Sequence, residues 1–444
     1  MRKKIIVILL ILALSIYTLN INVQSAVKEN DNRPTSLELT PHDPIEITSD
    51  SDFEVFPGTG TEVDPYLIEG YNITTTSQKG IYIAFTTKYF VIRNCYVEAA
   101  EYGIHIYDVA DVITTVINNT CNNNWYGIKL YYSGSSTVAN NTCSDNGSSI
   151  RLSYSSNSTV VNNICNNNDI GIVLYYSYYS TVANNTCSKN NNYGGIYLSS
   201  SGSSTVANNT CINNYIGIKL YYSNSSTVTN NTCNNNNNYE GISIWSSSNS
   251  TVANNTCNDN REGIRLDFSG SSTVANNTCS NNNFSIAFWY SSNSTATNNT
   301  CTNNNNYGIY LHSSDFCVFT YNLLQENEEY GVYSSSGSDN NIIHHNTFVD
   351  NNLGGTSQAF DDCTNNTWYN NATQKGNFWS DWSGTGSYSI DGSANSVDLY
   401  PLNEPAEHSV ESTTEENPLN FIFTLLMLVV TLIFTRIISK KAKN

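Results

Sequence analysis

The segment Thr137-Val138-Ala139-Asn140-Asn141-Thr142-Cys143 returns, with small changes, throughout the middle of this chain of 444 residues. Its cysteine recurs at steps of 22 or 24 residues, at Cys121, Cys143, Cys165, Cys187, Cys211, Cys233, Cys257, Cys279 and Cys301. A fixed period of this length is typical of a solenoid, in which each coil packs on its two neighbours.

A second phrase, Gly-Ile-x-Leu, lies between successive cysteines, for example at 127–130 and 217–220. Alternation places Ile128 and Leu130 on one face and Lys129 on the other, which is strand periodicity. The repeats show no helical spacing of apolar residues, and they lack the Leu-x-x-Leu-x-Leu signature of leucine-rich repeats. We therefore predict an all-β fold, a right-handed parallel β-helix of about 12–13 coils with Asn, Ser and Gly at its corners.

The asparagine two positions before each cysteine forms a column of its own, which we predict to be a structural ladder of stacked amides. The predicted ladder contains Asn141, Asn163, Asn185 and Asn209, and the cysteine column beside it contains Cys143, Cys165, Cys187 and Cys211. Later coils are expected to continue these columns with Asn322, Asn346 and Asn366, and with Leu324, Phe348 and Trp368. A position that accepts hydrophobes of any size points inward, so we expect buried, mostly reduced thiols. Disulfides between coils are the alternative, and parallel Cβ vectors would strain them.

Both ends of the chain carry membrane-targeting patterns. Residues 1–26 combine a basic start, an apolar run and a small-residue cleavage site, which predicts a signal peptide, with an uncleaved anchor as the alternative. Residues 418–438 are long and apolar enough to cross a bilayer as a transmembrane helix. The basic tail at 439–444 then places the C-terminus in the cytoplasm. We expect a single-pass protein of the cell membrane with its repeats outside the cell.

Changes in composition divide the chain between these ends. We predict a leader at 27–52, an N-terminal cap at 53–76, β-helix repeats at 77–376, a C-terminal cap at 377–402 and an acidic stalk at 403–417. The formal net charge is −18, with 13% charged residues. Such a chain lacks the basic patches that nucleic-acid phosphates demand, so nucleic acid is not expected as a partner.

The ends of the repeat region resemble those of a known family. The N-terminal motif at 56–70 (Phe-Pro-Gly-Thr-Gly-Thr, then Asp-Pro-Tyr-x-Ile-Glu-Gly) and the C-terminal motif Gly-Asn-Phe-Trp-Ser-Asp at 376–381 are similar to those of NosD-like right-handed parallel β-helix proteins, especially archaeal cell-surface members. The resemblance covers roughly residues 53–402. It implies a superfamily of carbohydrate-binding proteins and sugar hydrolases, and for NosD itself a copper-related role in the maturation of nitrous oxide reductase. The longer Asp- and Gly-rich stretch of the family is reduced here to Gly384-Thr385-Gly386, so its calcium role is not carried over.

The clearest candidate surface is the outward side of the Gly-Ile-x-Leu strands. Flat rings can pack on sugar faces while neighbouring cations and hydroxyls bond their rims, so we predict a polysaccharide or glycoprotein ligand. The alternative is an aromatic ladder that only stiffens the sheet. The candidate ligand-binding residues are Lys129, Tyr131, Tyr175, Tyr197, Lys219, Tyr221, Trp245, Arg265 and Trp289.

Catalysis and metal binding have less support. Glycoside hydrolysis needs paired carboxylates and lyase chemistry needs clustered acids, and the only dense charged cluster of the coils is Asp259, Arg261, Glu262, Arg265 and Asp267. We interpret it as an ion-pair patch. Methionines that collect copper are missing, and His344-His345 is an isolated pair, so we expect no metal and no cofactor. The predicted function is adhesion, surface structure or carbohydrate binding without catalysis; a polysaccharide lyase or glycoside hydrolase and a copper accessory protein are the alternatives.

About seventeen Asn-x-Ser/Thr sequons occur in the chain. We attribute those in the Asn-Asn-Thr repeats to the ladder. Glycans are expected at the Ser-rich corners instead, where the candidate acceptors are Asn157, Asn224, Asn249 and Asn293.

Overall fold

Three long parallel sheets form the walls of the repeat region. The computed structural model describes residues 39–111, 113–236 and 239–406. The chain visits sheets 1, 2 and 3 in turn and then starts the next coil, so strands that neighbour each other in a sheet come from successive coils. This is a parallel β-helix of the right-handed type with about 13 coils.

Sheet 1 contains the Gly-Ile-x-Leu strands and has 14 members in the described part of the chain. They are Ile45–Ile47, Lys79–Ala84, Tyr102–Tyr107, Tyr126–Tyr131, Ser148–Ser153, Ile170–Tyr175, Gly194–Ser199, Ile218–Tyr221, Glu240–Trp245, Glu262–Asp267, Phe284–Trp289, Tyr307–His312, Val332–Ser335 and Ala359–Asp361. Sheet 2 contains the Thr-Val-Ala strands, which are Tyr66–Glu69, Phe90–Arg93, Thr114–Ile117, Thr137–Ala139, Thr159–Val161, Thr181–Ala183, Thr205–Ala207, Thr227–Thr229, Thr251–Ala253, Thr273–Ala275, Thr295–Thr297, Val318–Thr320 and Ile342–His344.

Sheet 3 contains the cysteine strands and is interrupted at Thr256, which makes only isolated bridges to Thr232 and Thr278. Before the interruption its strands are Thr40–Pro41, Tyr71–Thr74, Tyr96–Glu98, Thr120–Asn122, Thr142–Ser144, Ile164–Asn166, Thr186–Ser188, Thr210–Ile212 and Thr232–Asn234. After it they are Thr278–Ser280, Thr300–Thr302, Leu323–Gln325, Thr347–Val349 and Phe378–Trp379. The remaining elements are a 3-10 helix, Asp50–Val55, and the antiparallel pair Tyr388–Ser389 and Val397–Asp398.

Strict register places equivalent side chains above one another. Ile128 pairs with Ile104 on one side and with Ile150 on the other, and Cys143 pairs with Cys121 and Cys165. The inward Ile, Leu, Val and Cys side chains are almost completely buried and form one continuous core. The periodicity of the sequence therefore gives the correct inward face.

The asparagine ladder closes the corner between sheets 2 and 3. Asn141 is fully buried, and its Oδ1 accepts hydrogen bonds from the backbone N and the Nδ2 of Asn119 at 2.9 and 3.1 Å. Its Nδ2 donates to the carbonyl of Val116 and to Oδ1 of Asn163, both at 3.0 Å. The same pattern repeats through Asn163, Asn185 and Asn209, so one side chain satisfies buried groups of three coils.

The last coil departs from the expected columns. Asn346 donates to Oδ1 of Asn377, not of Asn366, and Phe348 pairs with Trp379, not with Trp368. The chain first adds a strand to sheet 1 and a bridge to sheet 2 within residues 350–376, so the step from one ladder residue to the next grows to 31. A prediction that counts one coil every 22 to 24 residues therefore assigns Asn366 and Trp368 to the ladder and to sheet 3, whereas Thr367 between them bridges to sheet 2.

The stack also begins earlier than the predicted cap. Ile45 and Ile47 pair with Ile81 and Ile83, so residues assigned to the leader already form the first rung of sheet 1. This rung lacks the glycine of the repeat phrase, which hides it from a motif search. Phe53, in the 3-10 helix, is fully buried, stacks on Tyr66 at 5.0 Å, and covers the N-terminal end of the core.

The C-terminal end of the core is covered by rings. Trp379 stacks between Phe348 and Tyr388, with centroid distances of 4.1 and 4.0 Å. Its indole N–H donates to Oδ2 of Asp398 at 3.0 Å, and that carboxylate also accepts from the backbone N of Asn377 at 2.7 Å. The predicted signal peptide at 1–26, span at 418–438 and tail at 439–444 lie outside the described residues. Within the residues that the structure covers, we find no helix with the length and apolarity of a membrane span.

All twelve cysteines are unbridged and buried. Nine form the file in sheet 3, while Cys95 continues the ladder column, its backbone N donating to Oδ1 of Asn119 at 3.0 Å. Burial raises the pKa of Cys143 and Cys165 well above that of a free thiol. Burial also disfavours ionisation of Cys233, but hydrogen bonds from Cys211 and Cys257 lower its pKa below that of a free thiol.

Thiol titration tests this arrangement. We expect almost no reaction with a thiol reagent in the native protein, because the cysteines of the file are completely covered. Unfolding without reductant should expose all twelve thiols. A count near zero after such unfolding would mean that disulfides connect the coils.

Candidate functional site

The nine predicted ligand-binding residues all lie on the outward side of sheet 1, in two neighbouring columns. Register sets the central column as Lys129, Arg151, Val173, Tyr197, Lys219, Ser243, Arg265 and Ala287. It sets the flank column as Tyr131, Ser153, Tyr175, Ser199, Tyr221, Trp245, Asp267 and Trp289. The inward residues between them, such as Leu130, are fully buried.

A third aromatic column, which the sequence analysis missed, follows the flank column at the corner between sheets 1 and 2. This corner column contains Tyr132, Tyr154, Tyr176, Tyr222, Phe268 and Tyr290. Their exposed fractions run from 37% to 55%, and every one has a left-handed backbone with φ between +48° and +53°. That conformation costs a bulky residue about 1–2 kcal/mol. Aromatic pairs such as Tyr131-Tyr132 and Tyr175-Tyr176 were the signal in the sequence.

The flank and corner columns meet at right angles. The rings of Tyr131 and Tyr132 have centroids 4.5 Å apart and an interplanar angle of 85°, and Tyr175 and Tyr176 repeat this at 4.6 Å and 86°. Along the axis the corner rings stack instead: Tyr154 lies 5.0 Å from Tyr132 and 5.2 Å from Tyr176. The flank and corner columns together form an aromatic surface beside the central column, which we call the aromatic wall.

Three cations of the central column lie over aromatic rings of sheet 1. The Lys129 ammonium is 4.5 Å from the ring centroid of Tyr126, and the Arg151 guanidinium is 5.6 Å from that of Tyr175. The Lys219 ammonium lies 5.8 Å from the centroid of Tyr221. None of the three has a carboxylate at ion-pair distance among the described residues, in a chain whose acids outnumber its bases by 37 to 19. Burial, followed by the charge of Arg151, lowers the pKa of Lys129.

A buried histidine precedes these cations by one coil. His105 pairs in register with Lys129, is 8% exposed and stacks on Tyr102 at 4.4 Å. Neither ring nitrogen has a hydrogen-bond partner in the described structure. Burial lowers the pKa of His105 to about 3, so the ring is neutral at physiological pH. The positive charge of this region therefore comes from Lys129 and Arg151.

Arg265 differs from the other cations because it is already paired. It donates to Oε1 of Glu262 at 3.1 Å and to Oδ2 of Asp267 at 2.8 Å, and it lies 4.8 Å from the ring of Trp289. Of the five residues in the predicted charged cluster, the structure therefore joins Glu262, Arg265 and Asp267. Asp259 contacts the Asn281 amide, and Arg261 lies over the ring of Tyr239.

The buried carboxyl of this triad should make local stability depend on pH. Burial raises the pKa of Glu262 above its ordinary value of 4.5, even though Arg265 opposes the shift. A folded-state pKa that exceeds the unfolded one favours the fold below the unfolded pKa, and this contribution disappears as pH rises through the folded value. We expect the hydrogen-exchange protection factors at 262–267, which are corrected for the intrinsic pH dependence of exchange, to fall over that pH range, and those of the Glu262→Gln variant to stay constant. A variant with an unchanged pH profile would contradict this.

Comparison with known sequences gives the family. The profile described as periplasmic copper-binding protein (NosD) matches residues 66–240 and 194–384, which together cover most of the chain. The chain belongs to the NosD family. No curated protein sequence matches it. The resemblance seen at the two ends of the repeat region is therefore confirmed for the NosD-like β-helix.

Several solved β-helix structures resemble this NosD-family chain at low identity. An alginate lyase of family PL6 in complex with a trisaccharide is 12% identical, with 76% of this chain and 85% of that one covered and a TM-score of 0.48. The A-module of the mannuronan C-5 epimerase AlgE4 from Azotobacter vinelandii is 12% identical, with coverages of 68% and 85% and a TM-score of 0.43. The Dettilon tailspike protein is 14% identical, with coverages of 64% and 61% and a TM-score of 0.44. None of these three scores reaches 0.5, and the β-helix fold follows from the sheets of this chain alone.

The described residues do not fit the copper centre that the name of the NosD family suggests. Within them, no three His, Cys, Asp or Glu side chains converge on one point. The cysteine file is completely covered, so a metal ion has no route to its thiols, and burial raises the pKa of members such as Cys143 and Cys165 and so opposes the thiolate form that a soft metal ion requires. The Nδ1 atoms of His344 and His345 lie 2.5 Å apart, but the pair offers two ligands at most.

Proposed function

We propose that this protein binds an extended, anionic polysaccharide along the outward side of sheet 1. The observation that carries the proposal is the set Lys129, Arg151 and Lys219, three cations of the central column that lie over aromatic rings and have no carboxylate at ion-pair distance among the described residues. Of the ten Lys and Arg residues that the structure describes, only Arg93 and Arg265 make ion pairs. What distinguishes Lys129, Arg151 and Lys219 is that they combine a place in the central column with contacts to aromatic rings and no ion pair. Carboxylate or sulfate groups of a glycan supply the missing negative charge.

The repeat of the surface suits a polymer. Successive coils lie ~4.8 Å apart, which is close to the length of one sugar unit in an extended polysaccharide. Lys129 and Arg151 are one coil apart, whereas Lys219 follows Arg151 by three coils. The exposed parts of the aromatic wall follow the same axis and offer apolar surface to the sugar rings.

We propose binding without turnover because of the state of the two acids that are paired with Arg265. Glu262 and Asp267 both bond to the guanidinium of Arg265 and are only 2% and 4% exposed. A general acid and a nucleophile must reach the scissile bond, and paired, covered carboxylates do not. We further propose that the predicted membrane span holds this face outside the cell, in contact with a surface or matrix polysaccharide.

Charge removal tests the proposal. We expect the full-length protein in detergent to bind a polyuronate or a sulfated glycan in a salt-sensitive manner, and a neutral glucan at least tenfold more weakly. The double variant Lys129→Gln and Arg151→Gln should lose at least tenfold in affinity, because two direct charge contacts disappear. Isothermal titration calorimetry gives both numbers.

Lys189→Gln is the matched control, because Lys189 is exposed on a different corner and its removal changes the net charge in the same direction. Equal losses in the control and in the double variant would show a general charge effect and would overturn the assignment of the site. Release of shortened or unsaturated sugars during the titration would overturn the non-catalytic part.

A further inference from the structure

The corner between sheets 2 and 3 presents two neighbouring asparagines per coil with opposite environments. Asn141, the ladder residue, is fully buried, whereas Asn140 before it has a left-handed backbone with φ of +55° and is only half-buried. In Asn140-Asn141-Thr142 the sequon acceptor is the first asparagine, two residues before the hydroxyl. The ladder therefore does not explain these sequons, which corrects the attribution made from the sequence.

We infer that this corner is an N-glycosylation edge. Its acceptors are aligned, one per coil, and each has threonine two positions later: Asn118, Asn140, Asn184, Asn208, Asn230, Asn254, Asn276 and Asn298. All have φ between +55° and +59°, and all are exposed or half-buried. Asn162 shares the conformation and the exposure, but Ile164 replaces the hydroxyl residue.

The hydrogen bonds of Asn208 and Asn209 separate an acceptor from a ladder residue. Oδ1 of Asn209 accepts from Asn185, and its Nδ2 donates to Val182. Asn208 donates only its backbone N, to the carbonyl of Thr229 in the next coil, and its side chain makes no hydrogen bond to the other described residues. A sugar on Nδ2 of Asn208 breaks no buried hydrogen bond, whereas one on Asn209 would break the ladder. Among the acceptors, Nδ2 of Asn298 donates to Oδ1 of Asn276 at 2.7 Å in an exposed contact.

The chemistry requires a donor of defined class. An oligosaccharide linked to a polyprenyl phosphate or pyrophosphate transfers its anomeric carbon to the amide nitrogen. The new N–C bond replaces the C–O bond, the lipid phosphate leaves with that electron pair, and the amide loses one proton. Since the residue after each acceptor is buried in the folded coil, transfer precedes closure of the coil. The inference rests on the predicted export of the chain, and not on the proposed ligand.

Spacing limits how much of the edge is occupied. Adjacent acceptors lie ~4.8 Å apart along the axis, which is too close for two branched glycans. We expect glycans on alternate coils or more sparsely. The edge lies opposite sheet 1, so its glycans leave the proposed binding face open. In contrast, Asn157 and Asn293 come three residues after Tyr154 and Tyr290 of the corner column, beside that face.

Glycopeptide mass spectrometry of the protein from its native host, after digestion with a nonspecific protease, tests this edge. We expect glycans on a subset of the eight acceptors and none on Asn162. Thr210→Val should remove any glycan from Asn208 while Thr210→Ser keeps it, and Ile164→Thr should allow a glycan at Asn162. Each change leaves the buried ladder asparagine in place.

Three results would overturn the inference: an edge without glycans, glycans confined to Asn157, Asn224, Asn249 and Asn293, or a glycan on Asn208 that persists in Thr210→Val. The calorimetric titration with polysaccharide tests the proposed function independently of this glycosylation experiment. Failure there with an occupied edge removes the proposed function only, and a bare edge with intact binding removes this inference only.

Discussion

Replacing Tyr132, Tyr154 and Tyr176 together with glycine is expected to lower the affinity for polysaccharide about 100-fold, at about 1 kcal/mol per lost ring contact. The melting temperature should change little. Glycine relieves the left-handed strain of about 1–2 kcal/mol at each position. It also loses the stacking of these rings, at 5.0 and 5.2 Å, and adds backbone entropy to the unfolded chain. These opposing terms are of similar size.

This substitution distinguishes a ligand surface from a stiffening ladder. If the rings only support the sheet, the triple variant should melt at a lower temperature and bind normally. If they contact sugar, binding should fall without a loss of stability. Glycine at Ser135, Ser203 and Ser225, which also have a left-handed backbone but carry no ring, provides the matched control and should leave the affinity unchanged.

The Asn209→Ala variant is expected to lose about 3 kcal/mol of stability, because it leaves at least two buried backbone groups unpaired. The backbone N–H of Asn185 loses its acceptor at 2.9 Å, and the carbonyl of Val182 loses its donor at 3.0 Å. A stack of coils need not unfold in one step. The effect should therefore be greatest in the coils that flank residue 209. Hydrogen exchange resolved by peptide measures it, and urea denaturation gives the overall change.

Asn208→Gly is the control for the ladder. The two residues are adjacent, but Asn208 is exposed with φ of +56°, a conformation that glycine adopts without strain. We expect a change below about 0.5 kcal/mol, as for most surface substitutions. Similar losses in the two variants would mean that the ladder amides add nothing beyond the packing of the corner.

Sequence periodicity predicts the stack because its two strongest signals are local. A cysteine every 22 or 24 residues fixes the coil, and the alternation around Lys129 fixes the inward face of sheet 1. The family assignment likewise follows from short motifs at the ends of the repeats. The prediction from the period was wrong where the spacing of the repeats changes. Because 31 residues separate the ladder residues Asn346 and Asn377, Trp379 occupies the position in the cysteine column that the sequence assigned to Trp368.

The candidate site was only partly predictable, for reasons of backbone and charge. Left-handed corners normally favour Gly or Asn, so nothing in the preferences of Tyr pointed to Tyr132 as a corner residue. Sequence also shows no ion pairs, so Lys129 and Arg265 look equivalent. The structure separates them, because Arg265 bonds two carboxylates and Lys129 bonds none in the described chain.

Because coils contact only their neighbours in register, duplication of a single 22-residue unit would lengthen the protein by one rung without disturbing either end. Each added rung would extend the row of rings and cations by roughly one sugar. In the proposed binding mode, homologues with different numbers of coils would select polymers of different minimum chain length, so the reach of the binding surface would change by gain or loss of whole repeats.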